Sequence, residues 1–413
     1  MATFTDLHLI VEDMLEQSMG KEAIDQLDLS NIASLGDYII QSGEYGTNDV
    51  IFGKLVDRIG RTVIANRLYQ NKFGFMSMDP FTYGYVLQKI HVDTLTPRTS
   101  GKYYTGTDPD TEQFGNYIPT INVSLFADSK AWEFAMTVTE AQIKTAFTDE
   151  SSLAAFISGL FTAMDTSVAK SLEEVARGVL AAYIGELYVG QAQADAASET
   201  VITAVNLIAK YKEETGETVT ASAAWYNADF LRWCTSFFTD EKRMFSNLSV
   251  IRNLKGLEKF TPEEGLRFII NGKFADNIKR FMTSDTFNDE FVGMPGYTEI
   301  DYWQGLGTGT IADRTAIDAK LISTTTTEEV TENDEIDIDN VVGIMYDNFS
   351  VGVTLYERDT VAVNVPRRHR TNYFEQCMVG NFIDLGEQGT MYYLEDVSDD
   401  DDGGDGGDVT PGP

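Results

Sequence analysis

Asp108, Asp110 and Glu112 place carboxylates at the two-residue spacing with which a calcium loop begins. Gln113 then stands where the sharp turn needs glycine, and Pro119 where the closing glutamate belongs, so calcium is not expected there. Nucleotide chemistry fails in the same way. GLGTGT (Gly305 to Thr310) lacks the last glycine of a dinucleotide fingerprint, and no basic residue follows it. LRFIINGK offers Gly272 and Lys273 but carries Arg267 in place of the first phosphate-loop glycine. The three histidines, His8, His91 and His369, have no adjacent partner for metal binding or nucleophile activation. Cys234 and Cys377 form neither a disulfide framework nor a metal spacing, which points to a reducing compartment. Carboxylates are too plentiful for any pair to mark a hydrolase. No catalytic, cofactor or metal site is expected.

The remaining chemistry is charge. PRRHR (Pro366 to Arg370) is the densest positive cluster in an acidic chain. It reads either as a solvated turn or as a basic spot that sets register against acids such as Glu328, Glu329 and Glu332 of a neighbouring copy. His369 belongs to that strip rather than to a catalytic group.

The elements that position these residues begin with an apolar stripe running from Leu153 through Phe156, Leu160, Met164, Val168, Leu172, Val175, Val179 and Tyr183 to Leu187. Steps of three and four residues predict one helix of roughly 35 to 40 residues, about 50 to 60 Å long. Its other face, with Asp165, Lys170, Glu173, Glu174 and Arg177, is expected to be solvated or interfacial. Before it, TYGYVLQKIHVDTL and YIPTINVSLF bracket the turn-rich PRTSGKYYTGTDPDTEQFGN, predicting a long twisted hairpin within Phe73 to Phe126. Trp132, Phe134, Met136 and Val138 alternate with Glu133, Ala135, Thr137 and Thr139, a half-buried strand. After Ala192 the pattern is α/β-like, with helices expected around Glu199 to Tyr211 and Ala228 to Phe238. FIINGKF, VVGIMYD and TMYYLE read as strands, and the polar stretch from Ser323 to Asn340 as an exposed loop. The first 48 or so residues read as an acidic arm with one short amphipathic helix, and IFGKLVDRIGRTVIANRL as a compact apolar unit.

The chain has 413 residues, enough for at least two lobes. It carries 65 acidic against 31 basic residues, a net charge of -34, to which the segment from Glu395 to Asp408 contributes eight acids. That balance opposes general nucleic-acid affinity, which needs a concentrated basic footprint. The segment after Leu394 is expected to be disordered. MATFTDLHLIVEDMLEQ has no basic stretch ahead of its short apolar run, so it does not read as a signal peptide, and no stretch is long enough for a membrane span.

Taken in order, an acidic arm, a long hairpin, a strand feeding a very long helix, an α/β lobe and a return strand together resemble the Hong Kong 97 fold of tailed-phage major capsid proteins. LVDRIGRTVI (Leu55 to Ile64) looks like the equivalent stretch in capsid proteins of small protein-primed podophages. VVGIMYDNFSVGVTLYERDTVAVN with RTNYFEQCMVGNFIDLGEQGTMYYLE is similar to the C-terminal half of many phage capsid proteins. The resemblance implies an α+β fold with an N-terminal arm (1–48), a first peripheral part (49–72), an extended loop (73–130) and a peripheral domain with a spine helix (131–192). An α/β axial domain (193–365), returning peripheral strands (366–394) and the acidic tail (395–413) complete it. It implies a subunit without catalytic activity that self-assembles as pentamers and hexamers, with scaffolding protein and portal, into an icosahedral or prolate virion shell made in the bacterial cytoplasm. Double-stranded DNA would be enclosed without specific binding, and no membrane is involved. Arg98 and Lys102 in the hairpin and Arg367, Arg368 and Arg370 in the basic cluster are the expected intersubunit contacts. Covalent cross-linking through Lys102 is not expected, because no partners for it are identified. The alternatives are an encapsulin-like nanocompartment shell and an acidic carbohydrate-binding or hydrolytic protein. The scattered aromatics favour packing over a sugar platform.

Overall fold

The computed structural model describes residues 68–78, 86–95, 117–127, 129–139, 142, 150–285, 295–304, 314–321 and 335–397. The arm, the LVDRIGRTVI stretch, the hairpin tip with Arg98, Lys102 and Asp108 to Glu112, the GLGTGT stretch and the acids at 328–332 lie outside them. In chain order the elements are β1 (Leu87–Val92), β2 (Ile121–Phe126), β3 (Ser129–Thr139), α1 (Glu150–Ala197), β4 (Ala204–Asn206), α2 (Leu207–Thr215), α3 (Ala221–Ala224), α4 (Ala228–Phe245), β5 (Leu266–Asn271), α5 (Gly272–Asp285), β6 (Thr298–Ile300), β7 (Ile317–Lys320), β8 (Glu335–Ile338), β9 (Val341–Asp347), β10 (Val351–Val365), β11 (Arg370–Ile383) and β12 (Gly389–Tyr393). They form two compact units. The first draws on Met1–Tyr85, Asp128–Val175 and Val353–Gly380, the second on Val86–Ala127, Ala176–Gly352 and Asn381–Pro413.

In the first unit β3, β11 and β10 form an antiparallel sheet with β11 central, in which Met136 pairs with Tyr373 and Trp132 with Cys377. The alternation predicted for β3 is present, with Trp132, Phe134 and Met136 half-buried, Val138 buried, and Glu133, Ala135 and Thr137 exposed. The Arg358 guanidinium of β10 binds both the buried Glu375 of β11 and Asp165 of α1, so one side chain pins the sheet to the helix.

α1 is one helix of 48 residues, longer than the stripe predicted. Its charged face differs from the expected solvated one. Glu173 is fully buried because it accepts the Tyr69 hydroxyl at 2.6 Å and the Lys72 amide at 3.2 Å. Arg177 is buried because it donates to the Tyr302 carbonyl and lies 4.1 Å from that ring's centre. From Val179 to Leu187 the helix is buried on every side. An apolar stripe therefore understates burial where polar partners meet the opposite face.

The second unit is built on a five-stranded sheet in the order β4-β12-β9-β5-β6. All seven residues of β9 are buried, as a central strand covered on both faces requires. The helix expected around Glu199 to Tyr211 begins only at Leu207, because Ala204–Asn206 pair in parallel with β12 and the Asn206 side chain caps α2 by accepting the Ile208 amide. The expected loop from Ser323 to Asn340 ends in β8, whose Ile338 pairs with Ile317 and is buried. Of the expected returning strands, β11 joins β3, whereas β12 lies inside the five-stranded sheet. Residues 395–397, expected within the acidic tail, belong to the folded unit. The Glu395 carbonyl accepts Asn206 Nδ2 at 2.9 Å, Asp396 accepts the Ala221 amide at 2.6 Å, and Val397 packs against the core.

Candidate assembly surfaces

β1 and β2 are six residues each and pair antiparallel in register from Leu87↔Phe126 to Val92↔Ile121. Alternation gives the pair two faces. The face turned onto the rest of its unit carries Lys89, His91, Asn122, Ser124 and Phe126. Lys89 is the anchor: its Nζ lies 3.1 Å from Asp384 and 3.8 Å from Glu387, and it donates to the Phe349 carbonyl. It also sits 5.0, 5.7 and 5.9 Å from the ring centres of Phe382, Phe126 and Phe349, a cage in which a desolvated ammonium gains cation–π attraction. Lys255 donates to Ser124 at 3.2 Å and to Asp384 at 3.0 Å. Burial would raise the Asp384 carboxyl, but Lys89, the Gly386 amide and Lys255 outweigh it and hold it below the usual value.

The opposite face is apolar and open. Ile90 pairs with Val123 and Val92 with Ile121, and Ile90, Val123 and Leu125 are 64%, 51% and 65% exposed. Beyond the strand ends Leu95, Tyr117 and Ile118 are exposed as well. The hairpin largely inverts the ordinary rule for a half-buried strand: apart from Leu87 and Phe126 its inward residues are polar, and apart from Gln88 its outward residues are apolar. Contiguous exposed apolar surface of this kind marks an interaction site.

The basic cluster occupies the turn between β10 and β11. Arg367 and Arg368 are exposed on a single 3-10 turn, His369 takes a left-handed backbone with φ 49°, and Arg370 already belongs to β11, paired with Thr139. The structure therefore brings Arg367 and Arg368 together at a solvent-facing tip and draws Arg370 into the ladder. Beside the tip, β10 is exposed from Glu357 to Val363. Among the described residues no group of three or more His, Cys, Asp and Glu could hold a metal ion. Both cysteines are free and buried.

Sequence reasoning missed Lys89 and Asp384. The signal available was the lysine within an otherwise alternating VLQKIHV, which marks a charge on one strand face but not the face that docks.

The profile of the family described as Phi29-like phage major capsid protein matches residues 7–377. The chain belongs to this family. Consistent with membership in the Phi29-like family, a stretch of 120 residues is 29% identical to the major capsid protein of Bacillus phage GA-1, covering 29% of this chain and 24% of that protein. The chain thus matches about a quarter of that relative's length. Two solved structures share the fold. The capsid of Staphylococcus phage Andhra is matched with a TM-score of 0.54 at 8% identity, over 81% of this chain and 86% of that one. The structure of the head fiber and inner core protein gp22 of native bacteriophage P68 is matched with a TM-score of 0.53 at 10% identity, over 80% and 86%. Phi29-like membership makes the chain a structural component of a phage virion.

Proposed function

We propose that this chain is the shell-forming subunit of a tailed phage, closing with scaffolding protein and portal into an icosahedral or prolate capsid around double-stranded DNA. In the Hong Kong 97 arrangement the β1–β2 hairpin is the base of the extended loop, α1 the spine of the peripheral domain, and the five-stranded sheet the centre of the axial domain. The observation that carries this reading is the solvent-facing apolar side of the hairpin. An isolated two-stranded ribbon is marginal in water, and one that exposes Ile90, Val92, Ile121, Val123 and Leu125 gains stability by being covered. A subunit that laps this face over an identical neighbour repeats one heterologous contact, and such contacts close into rings and shells when the symmetry permits. The net charge of -34 fits a wall that contains DNA without adhering to it. No catalytic role is part of this reading.

The test is to co-express the full chain with the genes that neighbour it and to image the product by electron microscopy. Closed particles tens of nanometres wide are expected. Ile90→Lys with Val123→Lys should leave a folded subunit that forms none. Wild-type protein that stays monomeric in every assembly condition, or particles from the double variant indistinguishable from wild type, would overturn the reading.

A further inference from the structure

A second surface of the hairpin-bearing unit is concave. A groove of about 730 Å³ lies beside β1, with exposed Leu248, Phe260 and Phe349 offering apolar surface and exposed Glu258 and Glu264 contributing acid, while Glu387 is paired at 3.0 Å with Lys259, which also lines the groove. Apolar surface in an acidic frame calls for an occupant that is apolar and basic. The end of β10 and the turn after it have that composition, with Val361 and Val363 exposed at 39% and 44%, followed by exposed Arg367 and Arg368.

We propose that the Val361–Arg368 tip of one copy docks in the Leu248–Phe260–Phe349 groove of a second copy, its two arginines facing Glu258 and Glu264. This rests on the shell-subunit reading and names a contact beyond the hairpin. Charge supplies the argument for a partner copy. Subunits of net charge -34 repel one another at long range, so a specific approach requires a local patch of opposite sign on each side. The tip is the densest positive cluster in the chain, and the groove carries exposed Glu258 and Glu264 alongside exposed Leu248 and Phe260. The valines displace water from Phe260 and Phe349 while the arginines fix which way the tip enters. The hairpin contact supplies apolar area, and this one selects register.

The decisive experiment mixes two full-length variants, Arg368→Cys and Leu248→Cys, under mild oxidation. The native cysteines are buried, and both new ones are at exposed positions where folding is undisturbed. A disulfide-linked dimer is expected at several-fold higher yield than in a control mixture of Arg368→Cys with Ser222→Cys. In parallel, Arg367→Glu with Arg368→Glu should weaken self-association at least tenfold by sedimentation, and Glu258→Lys with Glu264→Lys added to it should restore most of that loss. A cross-link yield no higher than the control, or charge reversal without effect, overturns the contact. Particles that still close in any of those cases leave the shell reading intact, whereas a cross-linked dimer from a protein that never closes shells would remove the shell reading and keep the contact.

Discussion

Lys89 on the hairpin lies 3.1 Å from Asp384, a carboxylate that begins the turn between β11 and β12 and whose side chain is only 6% exposed. Two segments almost three hundred residues apart in sequence are joined by one nearly desolvated pair, with Lys255 completing the charge balance on the other Asp384 oxygen. The hairpin has a polar attachment at its base and an apolar surface facing away, so what holds it to its own subunit is chemically different from what it offers to another.

Lys89→Met should loosen that attachment. Asp384 keeps Lys255, so the cost is about 2 kcal/mol, below the ~3–5 kcal/mol expected for breaking a fully buried pair. Hydrogen exchange should rise in 87–92 and 121–126 with little change in β5 or β9. Uniform loss of protection across the second unit would show that the pair supports the whole fold rather than the hairpin.

Two neighbouring carboxyls should give opposite pH slopes. The Asp384 value is depressed in the folded protein, so its stabilisation is fully present above the unfolded carboxyl range near ~4 and is lost as pH falls through the depressed value. Burial raises Asp347, whose charge therefore costs stability above its raised value and is relieved as pH falls through it. Melting temperature measured between pH 7 and 3 should show Asp347→Asn flattening the gain at the upper end and Asp384→Asn flattening the loss at the lower end.

Leu172→Pro removes a hydrogen bond in the middle of α1, next to the buried Glu173, and should cost about 3 kcal/mol or more. The same turn holds Tyr69 and the Lys72 amide through Glu173, so proteolytic cleavage near residues 69–78 should accelerate in this variant. Wild-type assembly and wild-type cleavage together would mean that the helix tolerates a break there.

At Gly389 a β-carbon would overlap the hydroxyl of Tyr183. Gly389→Ala should destabilise by about 1–3 kcal/mol through overpacking. Adding Tyr183→Phe, which removes the colliding oxygen but leaves the ring carbon Cζ 2.9 Å from the added carbon, should recover part of the loss. A double-mutant cycle by urea denaturation reads this directly, and additive losses would place the strain elsewhere.

The acidic end should divide at Val397. Truncation after Val397 keeps the Asp396 contact with the Ala221 amide and should leave the melting temperature unchanged while altering electrophoretic mobility. Truncation after Leu394 deletes that contact together with Val397 from the core and should lower the melting temperature by several degrees.

Periodicity made much of this molecule readable before its structure. α1 and β3 show their geometry in the spacing of their own apolar residues, because a 3.6-residue or a two-residue repeat is local, and β9 shows its burial as an unbroken apolar run. Partnership is not local. Nothing in TMYYLE says that β12 pairs with β4 and β9 rather than with the sheet of β11, and a strand of three residues such as Ala204–Asn206 is too short to carry a period at all. The exposed apolar face of the hairpin was hidden for a related reason. Alternation in LQKIHV and INVSLF shows two faces, but ordinary polarity would turn Ile90 and Val123 inward, and it is the Phe382 and Phe349 rings around Lys89, far away in sequence, that reverse the orientation. In the basic cluster the composition was plain, yet only the ladder to β3 separates Arg370 from Arg367 and Arg368.

The placement of β12 also governs when the protein can finish folding. It is inserted between β4 and β9, so residues 389–393 fill a slot whose two walls were synthesised about 190 and 45 residues earlier. Until the ribosome has released that stretch, β4 and β9 each keep an unpaired edge and the second unit cannot close. A nascent or prematurely terminated chain therefore lacks the finished lobe, and the sheet itself reads out whether the chain has been completed through Tyr393.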